Sequence, residues 1–448
     1  MIIPDELVLK IIKLREDETM KRLVSLTLTA VLVLGMLLSP AAVFAAEAEL
    51  APLPQVGDVI SGFRATELGE IDLVNAKTVL FEHEKTGAKL YYIQNKDIER
   101  SFTIAFRTPA VDDTGVNHVV EHVVLQGSRK YPLNDMAFLL MGQTYNTFIN
   151  AMTALTYTAF PVASMSEDQL LKLADVYLDS VYNPLIYEEK NNFLRDGWRY
   201  EMEDADSPLT INGVVYNEMK GYFSNIYLTA FFNVLKTLFP DSPQSGTFGG
   251  DPEKIMDLTY EQLIETHKAY YHPSNSLMIL YGDVDYTRFL RMINDEYISK
   301  YDRREMNVDY GEVEPFDETV EARFAFPVTA ATNTANAAQI DYAFAMTDTT
   351  EEDMLGLAVI AAALSEDSSP LKKAFNEKKI GGSLSVILEV FAKQPMLIFT
   401  AAGADESRAG DFKALVDECL SDIVKNGFDR ELIDAMISRD LLSYSVVT

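Results

Sequence analysis

Val116-Asn117-His118-Val119-Val120-Glu121-His122-Val123-Val124-Leu125-Gln126 places apolar residues at helical spacing with no proline or glycine inside the run. A helix from about Val116 to Gln126 is therefore predicted. Side chains four apart share one helix face, so the imidazoles of His118 and His122 can reach a single cation. Glu121, three residues after His118, lies on the neighbouring strip, within reach of a water on that cation. Two neutral imidazoles and a carboxylate, with a fourth position left for water, suit zinc, which brings the pKa of that water towards neutrality. A carboxylate beside it can take the proton as water attacks a peptide carbonyl and pass it to the leaving amine. The plain alternative is a surface helix with two histidines and a glutamate. By composition, such a match arises by chance in a chain of this size on the order of one time in a hundred. The chain has five histidines. The three outside the motif, His83, His267 and His272, read as structural.

Upstream, Thr78–His83, Lys89–Gln94 and Phe102–Arg107 are strand-like. The last two flank Asn95-Lys96-Asp97, a polar turn that predicts a hairpin. Downstream, a helix is expected near Asn134–Met141, and Thr147–Val162 is rich in residues that favour extended chain. Helices follow at Ser166–Val181, Glu188–Arg199, Gly213–Tyr222, Leu228–Leu238, Tyr260–Tyr271 and Tyr286–Ser299, with a buried strand at Ser276–Gly282. A charged linker, 303–318, separates this domain, 50–302, from a second over 319–448. There Val320–Phe326, Ile340–Met346, Leu384–Val390 and Met396–Ala401 are expected strands. Glu351–Leu364, Lys372–Lys379 and two segments from Gly410 are expected helices. Strands and helices do not alternate regularly, which argues α+β rather than a doubly wound parallel sheet. The pattern is still helical at Thr448, so the second domain is expected to be incomplete.

The net charge is −30, spread along the chain. Nucleic acid is excluded as a partner, since phosphate binding needs clustered Lys and Arg. Near the N-terminus, Lys21-Arg22 precede an apolar run, Leu23 to Leu38, and the small residues Ala41 to Ala46. That order predicts a cleaved signal peptide within residues 1–45, with the true start at Met20, and a secreted or cell-envelope protein without a stable membrane span. The one cysteine, Cys419, sits among apolar neighbours at helical spacing and reads as core filler.

The His-Val-Val-Glu-His motif resembles the inverted zinc site of the pitrilysin and insulin-degrading-enzyme family of metallopeptidases. Further segments resemble its presequence-protease branch: Phe106–Pro109, Gly127–Pro132, Asn146–Thr153, Asn217-Glu218-Met219-Lys220-Gly221, Gly249-Gly250-Asp251-Pro252 and Tyr270–Asn275. The likeness is dense from about Gly62 to Asp285 and weak beyond. It implies two homologous-type domains, each a mostly antiparallel sheet with helices packed on it. It also implies one zinc ion held by His118, His122 and Glu218, with Glu121 as the base. Sequence physics alone could not choose Glu218 among so many acids. Substrate in this family is a short, unstructured peptide bound as an added strand, which points to Asn150 and Ala151 as the matching edge.

The likeness has gaps. Thr153 to Ala159 departs from the branch's usual Pro-Asp-Lys-containing stretch, and Gln126 stands where a cysteine is common. The family's complete enzyme has a C-terminal half whose Arg and Tyr hold the substrate carbonyl. Three readings follow: a metalloendopeptidase, a zinc-loaded peptide-binding half that needs that C-terminal half for efficient cleavage, and a non-catalytic homologue. The intact His118, Glu121, His122 and Glu218 argue against the third.

Overall fold

The structure, a computed structural model, describes residues 50–446 except 309, 311, 312, 315 and 391–393. The leader expected in residues 1–45 lies outside them. The chain opens with strands β1 (Val59–Ile60), β2 (Phe63–Ile71), β3 (Ala76–His83), β4 (Lys89–Gln94) and β5 (Arg100–Arg107). Helices α1 (Val116–Val124) and α2 (Met136–Gln143) follow, then the short strands β6 (Phe148–Ile149) and β7 (Met152–Thr153) and the longer β8 (Tyr157–Ser164). Next come α3 (Glu167–Tyr182), α4 (Lys190–Asp196), β9 (Arg199–Glu201), β10 (Thr210–Asn212), α5 (Val214–Phe223) and α6 (Ile226–Leu238). Helix α7 (Tyr260–Tyr270), strand β11 (Ser276–Tyr281) and α8 (Tyr286–Met292), prolonged by a π-turn to Ile298, complete the first part. Beyond them lie β12 (Ala338–Ala345), α9 (Glu351–Ser365), α10 (Pro370–Lys378), β13 (Ser383–Glu389), β14 (Met396–Ala404), α11 (Ala409–Asn426) and α12 (Arg430–Val446). The architecture is α+β, as expected.

These elements form two compact units. One comprises residues 50–221 and 246–309, the other 222–245 and 310–446. The first unit is built on a nine-stranded sheet in the order β1-β2-β3-β4-β11-β5-β8-β6, with β7 also paired to β8. Every neighbour is antiparallel except β11 beside β4. The hairpin expected across Asn95-Lys96-Asp97 is not formed, because β11 lies between its two arms. Met278 of β11 sits opposite Leu90 on one side and Ile104 on the other. The reason is burial: Met278, Ile279 and Leu280 are all inside, and a strand that apolar needs a ladder on each edge. The polar link is tied to the end of the inserted strand instead. Asn95 Nδ2 donates to Tyr281 Oη (2.7 Å), which donates to Asp97 Oδ2 (2.8 Å).

Strand β8 carries a proline in mid-strand, Pro161, opposite Thr103 of β5. Its carbonyl accepts from Asn150 N (3.2 Å), so the N–H that proline lacks would face the same side. That side is where the edge ladder is interrupted, between β6 and β7. The proline is thus accommodated at a break, as strand prolines require.

The second unit has a three-stranded antiparallel sheet, β12-β14-β13. Its core gathers Leu357, Ile360, Leu364, Phe375, Leu397, Phe399, Phe412 and Val416. Glu351–Lys378 is long and apolar enough to cross a membrane by length and composition. It is built as two helices, α9 and α10, whose apolar residues fill this core. Cys419 packs against the same core, and burial pushes its thiol up to about 11, in keeping with filler rather than a nucleophile. Val320–Phe326, expected as a strand, is not one. Its alternation is strand-like, but Val320 and Phe324 stand exposed and no ladder partner is found among the described residues. Alternation without a partner does not make a strand.

Candidate metal centre

Helix α1 begins at Gly115, whose φ of +67° is left-handed backbone. Two residues on, buried Asn117 donates from Nδ2 to the carbonyls of Thr108 (2.9 Å) and Pro109 (3.0 Å), tying the helix to the chain leaving β5. His118 and His122 then project from one face, their ring centroids 4.9 Å apart and nearly edge-to-face. Helix α5 brings Glu218 across, with Oε2 3.7 Å from Nε2 of each imidazole.

Those distances exceed hydrogen-bond length, so the three groups do not hold one another directly. Burial, with His118 nearby, pushes His122 down to about 3, so it is a neutral imidazole near neutral pH and forms no ion pair with Glu218. Neutrality is what ligation requires. All three ligand atoms lie within 4.8 Å of one another. Around a tetrahedral zinc with bonds of about 2.1 Å, ligand atoms are about 3.4 Å apart. The donor set therefore fits a zinc-sized ion with small adjustments. Among the described residues, no other group of His, Cys, Asp and Glu brings three such atoms together.

Glu121 is buried beside this cluster, and burial raises its carboxyl above the usual range, against the pull of His118 and a hydrogen bond from Thr153. That bond, from Thr153 Oγ1 to Glu121 Oε2, is 2.7 Å. Thr153 ends β7, so the edge of the sheet touches the carboxylate directly. Three residues earlier, Asn150 is exposed and Ala151 half-buried, at the gap between β6 and β7. Tyr177 Oη donates to the Asn150 carbonyl (3.3 Å) from α3. All six residues singled out from the sequence thus fall in one unit, around α1, α5 and the sheet edge.

The remaining histidines are held by other groups. His267 meets Tyr187 Oη at Nδ1 (2.7 Å) and Val181 O at Nε2 (2.9 Å), and His83 meets Thr86 and Asn294. Two residues of the site had no assigned role in the sequence. Thr153 lay at the junction of the family-like stretch Asn146–Thr153 and the divergent one after it, with nothing to mark its hydroxyl. Gly249, whose carbonyl meets His118 Nδ1 at 3.3 Å, was marked by the family likeness of Gly249-Gly250-Asp251-Pro252 and by the glycine pair, a general sign of close backbone approach, but neither gave it a role.

Comparison with known proteins bears on this arrangement. Residues 108–219 match the family described as "Insulinase (Peptidase family M16)", and residues 257–439 match "Peptidase M16 inactive domain". Protein HypA of Clostridium perfringens is 38% identical over 384 residues, covering 85% of this chain and 40% of its own length. The mitochondrial presequence protease of Mus musculus is 32% identical over 393 residues, covering 86% of this chain and 38% of its own. The chain therefore spans about two-fifths of the length of these curated relatives. The crystal structure of pitrilysin superposes with a TM-score of 0.58 at 16% identity, over 83% of this chain and 39% of that one, a likeness of fold.

The secreted or cell-envelope location expected from residues 1–45 is corrected by these relatives, since the mouse protein is by name mitochondrial. The two matched regions, the relatives and the shared fold agree: the chain belongs to the insulinase family of peptidases, M16, in its presequence-protease branch.

Proposed function

We propose that this chain carries the metal-bearing half of a zinc endopeptidase that hydrolyses short, unfolded peptides. The observation behind the reading is the convergence of His118, His122 and Glu218, with Glu121 buried alongside. The two imidazoles and the Glu218 carboxylate hold the ion. Zinc bound there supplies a Lewis acid that polarises a carbonyl oxygen and eases deprotonation of water. Glu121 takes the proton of the attacking water and delivers it to the leaving amine. Burial makes it a stronger base than an ordinary glutamate, and the Thr153 hydroxyl fixes one of its oxygens. The peptide lies as an added strand along the edge at Asn150 and Ala151, where main-chain hydrogen bonds give affinity that depends little on sequence.

A second reading rests on length. The chain covers 38–40% of the length of these relatives, and on this reading cleavage is efficient only when a C-terminal half encloses the site. An open site leaves developing charge in bulk water, where electrostatic stabilisation is weak. The test is turnover of an unfolded peptide by zinc-loaded chain, alone and with an added C-terminal half. Cleavage by the chain alone at the rate of the pair removes the second reading. Absence of bound zinc, or of cleavage in both arms, removes the first.

A further inference from the structure

The loop around Gly249 touches both helices that bear the metal ligands. On one side, its carbonyl lies 3.3 Å from His118 Nδ1 in a buried contact. A carbonyl only accepts, so this contact is a hydrogen bond when Nδ1 carries the proton. The Nε2 lone pair is then directed towards Glu218. On the other side, a Cβ at Gly249 would lie 2.3 Å from Met219 Sδ and 2.9 Å from His118 Nδ1. Met219 is fully buried and directly follows Glu218. A side chain at Gly249 would force Met219 or the His118 ring to shift.

The loop is also clasped to the start of α1. A Cβ on Gly250, which has φ +98°, would meet Gly115 Cα at 2.9 Å, and one on Gly115 would meet the Gly249 carbonyl oxygen at 2.3 Å. Both flanks are pinned to Asp113. Thr247 N donates to its Oδ1 (3.2 Å) and Asp251 N to its carbonyl (2.8 Å). Such fastening is more than a surface turn needs.

We infer that Gly249 is a positioning residue for the metal: its carbonyl holds His118 in the Nδ1–H tautomer, leaving Nε2 to ligate. The inference rests on the reading of His118, His122 and Glu218 as zinc ligands. Outer partners of this kind orient a ligating imidazole, and their loss typically weakens metal affinity by about 10- to 100-fold.

Two measurements on the full chain test it. Chelator competition should show zinc bound about 10- to 100-fold more weakly by Gly249→Ala than by the parent, with thermal unfolding showing that the variant is folded. With 15N-labelled histidine, NMR of the zinc-loaded parent should show His118 protonated at Nδ1 and metal-bound through Nε2. The peak is assigned by its absence in His118→Asn. Equal zinc affinity in a folded Gly249→Ala, or metal on Nδ1 of His118, overturns the inference. If the variant does not fold, the tautomer of the parent decides alone. A parent that binds no zinc at His118 and His122 fails the functional reading instead, a distinct result.

Discussion

In the first unit the elements run β5, α1, α2, β6 to β8, α3; in the second they run β12, α9, α10, β13, β14, α11. The pairing also corresponds, since β5 lies antiparallel to β8 and β12 to β14. The helix after the first of these strands differs in kind. Helix α1 carries His118, Glu121 and His122. Helix α9 reads Glu-Glu-Asp-Met-Leu-Gly-Leu-Ala-Val-Ile-Ala-Ala-Ala-Leu-Ser, has no histidine, and starts from a capping box between Thr350 and Asp353. The edge differs too: β13 runs unbroken along β14, whereas β6 and β7 part at Asn150 and Ala151. The apolar pattern builds the plan in both places, and a few polar residues set on it make one of them a candidate site.

The largest effects should separate the two helices. His122→Ala removes a proposed ligand and should lose most of the zinc, as read by elemental analysis. Unchanged metal would place the ion elsewhere. Glu121→Gln should keep zinc but lower peptide turnover by about 10²- to 10⁴-fold, because an amide cannot take the proton. The matched change on α9, Glu352→Gln at an exposed position, should alter neither. If it slows turnover as Glu121→Gln does, the contrast between the helices collapses.

A core change should reverse the pattern. Phe375 is fully buried on α10, packed against Phe412 at 6.1 Å between ring centroids. Phe375→Ala should cost about 3–5 kcal/mol of the second unit's stability, measured by denaturant unfolding, while the zinc content of folded protein stays the same.

How far these features could be read in advance depended on their range along the chain. The spacing of His118 and His122 is local, so helix geometry alone put them on one face. The positions of α2, α3, α7 and β11 were likewise carried by short-range pattern. The insertion of β11 between β4 and β5 was not, because it joins segments more than 160 residues apart and the polar Asn95-Lys96-Asp97 link looks the same either way. Val320–Phe326 shows the converse error, a local pattern with no partner to pair with. Glu218 came only from family likeness, since a half-exposed helical glutamate has no mark of its own. Thr153 and Gly249 act through a hydroxyl and a carbonyl, which only coordinates reveal.

Acid should act on the first unit through His267. Burial pushes it down to about 4, outweighing its bond to the Val181 carbonyl. The folded value lies below the unfolded 6.5, so the unfolded state binds the extra proton between those values. Its contribution is fully present above pH 6.5 and is lost as pH falls through 4, on the order of 3 kcal/mol in all. His267→Gln should flatten the melting temperature against pH across that window. An unchanged acid slope would assign the sensitivity to other groups.

The smallest effect offers the closest comparison, because each unit holds a carboxylate under a threonine hydroxyl. Thr153 Oγ1 donates to Glu121 Oε2 at 2.7 Å, and Thr400 Oγ1 donates to Asp341 Oδ1 at 2.6 Å. Burial raises both carboxyls above their ordinary range. Asp341 keeps a second donor, Gln339 Nε2, on Oδ2 at 2.9 Å. Valine replaces threonine with similar shape and without the hydroxyl, so each change removes one hydrogen bond to a charged acceptor, worth about 1.5–3 kcal/mol. In the second unit that loss should appear only as stability: Thr400→Val lowers the unfolding midpoint and leaves peptide turnover alone. In the first, Thr153→Val should free the proposed base, Glu121, to rotate away from the water it is proposed to deprotonate. Turnover should fall by roughly tenfold, with KM and zinc content nearly unchanged, and Thr153→Ser should restore it. Equal losses of turnover in both valine variants would mean that the hydroxyls merely stabilise, and that Thr153 does not orient Glu121.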